Sequence, residues 1–173
     1  DGTDSWCRTA DVLLVSGEWE KQYAAGKHHV LWPWSDLISL THRHVDSLYG
    51  LRVLELGCGV GGNRRLFDAA GSFYYGIDGS PIAIKAQPQS RRIVHADFTQ
   101  GIPFAESFDL IFDRAAVTHN KIHEVHDCVQ YIYDALVDDG LFIGIDWFST
   151  KHADPHQFDD VGTTTFFDEL LLL

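Results

Sequence analysis

No methionine occurs among the 173 residues, not even at position 1, and residues 170–173 are an unbroken apolar run that reads as the middle of a helix. The sequence is therefore expected to be a fragment or an incomplete record. Cysteine is scarce: Cys7, Cys58 and Cys128 are widely spaced, with no Cys-x-x-Cys pair. That excludes a disulfide framework or a thiolate zinc site and points to a reducing, cytoplasmic location. Basic residues are few as well, 13 Lys and Arg against 25 Asp and Glu, for a formal net charge of −12. Binding that depends on neutralising phosphates needs many Lys and Arg contacts, so neither nucleic acid nor an anionic membrane is expected as a partner. No stretch approaches the roughly 20 apolar residues that span a bilayer. The first five residues are polar and acidic, unlike the basic start of a signal peptide. Repeats and low-complexity tracts are absent too. What remains is a chain of one-domain length whose 45% hydrophobic content suffices for a sizeable core.

From Arg52 onward, short apolar runs alternate with helical stretches. Strands are expected at 52–56, 73–77, 92–95, 110–112 and 141–145, each rich in Val, Ile, Leu or Phe and bounded by Gly, Asp or Pro. Near-continuous apolar strands separated by helices predict an α/β fold, a doubly wound and mostly parallel sheet with helices on both faces. Ser35 is placed to cap a helix running to Gly50, and Asn120 to cap another ending before Gly140. Residues 151–165 read as a loop. Before Ser35, Trp19, Tyr23, Trp32 and Trp34 sit among Gly26, Lys27, His28 and His29. Two units follow: an aromatic arm or lid over residues 1–34, and a core over 35–173. A plain hydrophobic cover for the sheet edge accounts for the arm equally well.

The strongest local signal is Leu54-Glu55-Leu56-Gly57-Cys58-Gly59-Val60-Gly61-Gly62, a strand running into a glycine-rich turn and then a helix. Such a turn lets backbone approach a ligand where a side chain would collide. Alone it is ambiguous, because Gly57, Gly59 and Gly62 also have dinucleotide-site spacing and Asp78 lies where such a site places its ribose carboxylate. The next elements narrow the choice. Asp78 closes the second strand in Gly76-Ile77-Asp78-Gly79-Ser80, Asp97 closes the third in Ala96-Asp97-Phe98, and Asp113-Arg114 closes the fourth.

This ordered series resembles the class I S-adenosylmethionine-dependent methyltransferases over residues 53–147. The resemblance implies a Rossmann-like methyltransferase fold and S-adenosylmethionine as cofactor. It gives Glu55, Gly57 and Gly59 to the methionine portion, Asp78 with Gly79 and Ser80 to the ribose, and Asp97 with Phe98 to the adenine. A carboxylate suits both jobs, accepting from two vicinal hydroxyls or from an exocyclic amine. The competing structural reading is that Asp97 only caps the following turn. The family's sheet has two further strands after the fifth, and these are expected to be missing here.

Asp113-Arg114-Ala115-Ala116 lacks the Asn- or Asp-Pro-Pro-aromatic segment of nucleic-acid amino methyltransferases, and Asp146-Trp147 lacks the Asp-Asn of the magnesium-dependent catechol type. The segment is similar to that of the thiopurine methyltransferase group, as is the aromatic arm. That likeness places Asp113, Arg114 and Trp34 beside the cofactor and implies a small-molecule acceptor. Arg114 serves equally well as a structural partner of Asp113 or Asp109. His119, just after the fourth strand, is the candidate general base if the acceptor carries a proton. His123 and His126 follow at helical spacing, but without a neighbouring acid or thiolate ligand no metal is expected. A dinucleotide-dependent oxidoreductase and a non-catalytic cofactor-binding module are the rival readings.

Overall fold

The computed structural model describes residues 17–147, 156–159 and 162–165. Its centre is a five-stranded parallel sheet of β1 (Arg52–Leu56), β2 (Phe73–Asp78), β3 (Ile93–His95), β4 (Phe108–Arg114) and β5 (Leu136–Ile145), in the order β3-β2-β1-β4-β5. The chain winds outward from β1 through β2 to β3, then returns to the other side of β1 with β4. The switch point between β1 and β4 is where ligands of such sheets bind, outside the carboxyl ends of the strands.

Side chains alternate along each strand and bury on both faces. On one face Val53, Tyr74, Leu110 and Phe112 pack with Leu37 of α2 (Ser35–His44) and Phe67 of α3 (Arg64–Ala70). On the other, Leu54, Leu56, Ile77 and Ile111 pack with Val125, Cys128 and Ile132 of α5 (Ile122–Ala135). Two shorter helices complete the order: α1 (Gly17–Ala24) in the aromatic arm, and α4 (Pro81–Ala86), which is capped by Ser80 Oγ accepting from the Ala83 N–H. The expected doubly wound α/β fold is what forms.

Several boundaries differ from the sequence reading, each for a local reason. Ser35 is the first residue of α2 and not its cap; Trp34 is the cap, and the helix stops at His44 because Val45 turns extended. α5 begins at Ile122, where Glu124 accepts from the Lys121 N–H, while Asn120 Nδ2 instead donates to the carbonyls of Ala116 and Val117. It ends five residues before the glycine expected to stop it, since Leu136 is already extended and pairs with Phe108. The left-handed residue nearby is Asp139 (φ 63), not Gly140. In the segment read as a loop, β6 (His156–Asp159) and β7 (Gly162–Thr165) form an antiparallel pair separate from the large sheet, with β7 beside the turn 117–119. Among the described residues the large sheet ends at β5. The reading of residues 170–173 as helix lies outside the described residues, as does Cys7. Among the described residues no helix is long and apolar enough to cross a membrane.

Candidate functional site

A cavity of about 690 Å³ opens at the carboxyl ends of β1, β2, β3 and β4. Its wall includes Glu55, Gly57 and Gly59 from the first strand and its loop, then Asp78 and Gly79, then Asp97 and Phe98. Arg114 and His119 complete it after the fourth strand, and Trp19, Tyr23, His28 and Trp34 close it from the arm. Residues scattered over a hundred positions therefore meet in one space of the size that ligand pockets have.

The turn after β1 folds back on β2: Gly57 and Cys58 both donate to the Ile77 carbonyl, and Gly59 donates to Asp78 Oδ2 at 2.8 Å. Gly57 and Gly59 hold positive φ, 70° and 52°. A Cβ on Gly57 would lie 2.4 Å from that of Ala116, and one on Gly59 would lie 2.9 Å from the Tyr23 hydroxyl oxygen. Glycine is thus required twice over, for conformation and for close approach.

The acids differ in their surroundings. Asp78 Oδ1 accepts from the Ser80 N–H at 2.8 Å, so both its oxygens are held by backbone; burial raises its pKa while the Ser80 and Gly59 donors pull it back. Asp97 Oδ1 takes both the N–H and the hydroxyl of Thr99, which realises the capping role weighed for it, while Oδ2 receives no bond among the described residues. Glu55 is 4% exposed and accepts from Asn63 Nδ2 at 2.8 Å and from the Tyr74 hydroxyl. Burial, opposed by those two donors, pushes its carboxyl up to about 8. Asn63 Oδ1 in turn accepts from the Trp34 N–H, so Glu55 fixes the base of the arm through Asn63.

A methyltransferase-domain family model matches residues 54–144. The chain belongs to that family. Cycloartenol-C-24-methyltransferase of Arabidopsis thaliana is 29% identical over 117 residues, covering 61% of this chain and 34% of the plant protein. Phosphoethanolamine N-methyltransferase 2 of Haemonchus contortus, solved with S-adenosyl-L-methionine, superposes with a TM-score of 0.56 at 22% identity, over 74% of this chain and 32% of that one. A DhpI complex with SAM and HEP gives 0.64 at 14% identity, over 95% and 87%. The chain spans about a third of the length of the first two. The structural likenesses speak for the fold, which they share with this methyltransferase domain.

Two expected contact residues do not lie on the wall of the methyltransferase cavity. Asp113 is fully buried, its three bonds all internal, and Ser80 faces a separate hollow of about 250 Å³ beside α1, where its hydroxyl bonds Glu20 at 2.5 Å. Both carboxyl-edge positions were legible, but which way each side chain turns was not. Arg114 partners neither Asp113 nor Asp109. Its guanidinium lies 3.6 Å over the Trp34 ring and 2.9 Å from Asp146, with Asp36 at 3.9 Å. Asp109 accepts from the Arg52 N–H instead. His119 stands edge-on to Trp19, ring centroids 5.3 Å apart, and Trp19 also meets His28 at 5.2 Å. Trp32 is 72% exposed, under Arg65 and away from the cavity. Tyr23 and His28 belong to the arm that the sequence marks by its aromatic and imidazole density; Asn63 is a member of the site for which the sequence gave no signal.

Proposed function

We propose that this domain transfers a methyl group from S-adenosylmethionine to a small-molecule acceptor in the cytoplasm. One observation carries the reading: Glu55, Asp78 and Asp97, at the ends of three successive strands, open onto one cavity beside the glycine turn. The residues present fit the cofactor. Each carboxylate oxygen accepts two hydrogen bonds, so Asp78, held rigidly by Gly59 and Ser80, retains capacity for both ribose hydroxyls, and Asp97 Oδ2 is open to an adenine amine. Phe98 supplies an apolar wall beside it. When bound, the sulfonium supplies an electrophilic methyl group.

The chain's own contribution is alignment and exclusion of water, which an in-line displacement chiefly needs. Trp19, Tyr23 and Trp34 roof the cavity, and His119 is the group positioned to take a proton from an acceptor hydroxyl, thiol or ammonium. The arm and the Arg114–Trp34 stack support a kinship with the thiopurine methyltransferase group. Cys58 and Cys128 are free thiols, in keeping with a reducing compartment. Calorimetry with S-adenosylhomocysteine and NADH tests the proposal: micromolar binding of the former and none of the latter is expected. Binding of NADH alone overturns it in favour of an oxidoreductase. If S-adenosylhomocysteine binds but no thiol, phenol, amine or carboxylate panel is methylated, a non-catalytic module is the better reading.

A further inference from the structure

Asp113 sits beneath the cavity wall, where it joins three pieces of backbone. Its Oδ2 accepts from the N–H groups of Ala116 at 2.9 Å and Val117 at 3.0 Å, and its Oδ1 accepts from the indole N–H of Trp147 at 2.7 Å. The end of β4, the turn after it and Trp147, two residues past β5, are thereby held by one carboxylate. Two non-glycine residues flank this junction in the left-handed region, Ala115 (φ 54) and Asp146 (φ 62), and Ala115 N–H donates to the Ile145 carbonyl at 2.9 Å. Such conformations persist only where the surroundings over-determine them, and they gather at functional sites. Capping the short turn at 117–119 needs an acceptor for its free N–H groups, but neither the indole bond nor the two strained residues.

The held turn presents Arg114, Ala115, Ala116, His119 and Asn120 to the cavity. Ala116 rests on Gly57 so closely that the glycine loop tolerates no Cβ there. We propose that Asp113 is a positioning residue, which registers the turn 114–120 against the glycine loop and so sets the wall shared by cofactor and acceptor. This rests on the methyl-transfer reading above. Asparagine does not substitute, because one amide oxygen replaces two acceptors and its NH₂ faces an N–H donor.

The test uses Asp113→Asn, Trp147→Phe, the double variant and the destabilised control Val53→Ala, whose site in β1 makes none of these bonds. Amide hydrogen exchange at Ala116 and Val117 is read without ligand, S-adenosylhomocysteine affinity by calorimetry, and stability by thermal unfolding. Asp113→Asn is expected to speed exchange at both amides about 100-fold and to weaken the ligand about tenfold or more, the scale on which misplacement of a site is felt. Trp147→Phe should weaken it about threefold, and the double variant no more than Asp113→Asn alone, since both remove parts of one network. Val53→Ala should lose stability yet bind as the unmodified chain does. Unchanged affinity in Asp113→Asn, despite fast exchange and a lower melting temperature, reduces Asp113 to a cap and overturns the proposal. Should that variant not fold, Trp147→Phe with unaltered exchange and affinity overturns it equally. Failure of the unmodified chain to bind S-adenosylhomocysteine sinks the functional reading instead, and exchange in Asp113→Asn still decides whether the carboxylate holds the turn.

Discussion

Replacing Asp78 by Ala separates a ligand-binding carboxylate from a merely structural one, and the geometry sets the size of both effects. Its loss leaves the N–H groups of Gly59 and Ser80, each bonded at 2.8 Å, without their acceptor. Asp78 lines the cavity, so water replaces part of what is lost. The stability cost therefore falls near the low end for unsatisfied buried donors, about 1–2 kcal/mol. At about 2–4 °C per kcal/mol for a chain of this size, the melting temperature should drop by about 2–8 °C. Cofactor affinity should suffer more. Two hydrogen bonds from ribose hydroxyls to a charged group are worth about 1.5–3 kcal/mol each, which together is a loss of about 10²- to 10⁴-fold. Asp97→Ala removes one such bond, so about 10- to 100-fold is expected. Calorimetry of S-adenosylhomocysteine binding on both variants, with circular dichroism to confirm the fold, gives the ratio. An Asp78→Ala variant that is folded and binds as the unmodified chain does, or that binds better than Asp97→Ala, refutes the ribose assignment.

Two further outcomes follow from the same geometry. The carboxyl of Glu55 titrates at about 8 in the folded chain and near its ordinary 4.5 when unfolded, and Asp113 is pushed by burial in the same direction, to about 7. The folded state thus holds more protons through this range, so stability is greatest below about pH 4.5 for these groups and falls as pH rises through 7 and 8; Glu55→Gln should flatten the decline of melting temperature between pH 5 and 8, and an unchanged slope contradicts the assignment. In limited proteolysis, cleavage between Tyr23 and Trp34, around Gly26 (φ 72) and His28 (φ 58), should slow when S-adenosylhomocysteine is present, and Trp34→Ala should lose affinity with little change in the melting temperature of the ligand-free chain. Equal cutting in both states makes the arm a fixed cover.

The fold was legible because its signals are redundant. Most of the strands carry an apolar run, a breaker and an adjoining helix, and an error of two residues at any boundary leaves the sheet order intact. Helix ends were less legible because they rest on single residues. Gly140 looked like a stop, yet pairing of Leu136 with Phe108 drew the chain into β5 four residues earlier, a tertiary effect with no local trace. The strands β6 and β7 are only four residues each and lie in a charged run with Gly and Pro, which reads as loop until the two segments pair.

The site was legible as a set of positions and illegible as a division of labour. Glu55, Asp78, Asp97 and Asp113 give the same signal, an acid at or near the carboxyl end of a parallel strand, and the sequence reading assigned all four to the cofactor. The fold gives each of them different partners. Glu55 lies on the same sheet face as Val53, under Asn63 and Tyr74, and burial there favours its neutral form. Asp113 meets Trp147 from the far end of β5 and turns inward. Asp78 is held by its own loop and that of β1 while still reaching the cavity. Asp97 spends one oxygen on Thr99 and keeps the other. What separates them is the cavity: Glu55, Asp78 and Asp97 line it and each keeps lone pairs beyond the donors that hold it, whereas Asp113 is fully buried with all its bonds internal. On that distinction the proposed methyl-transfer reading keeps Glu55, Asp78 and Asp97 as the cofactor-facing acids and has Asp113 act through the turn that carries His119.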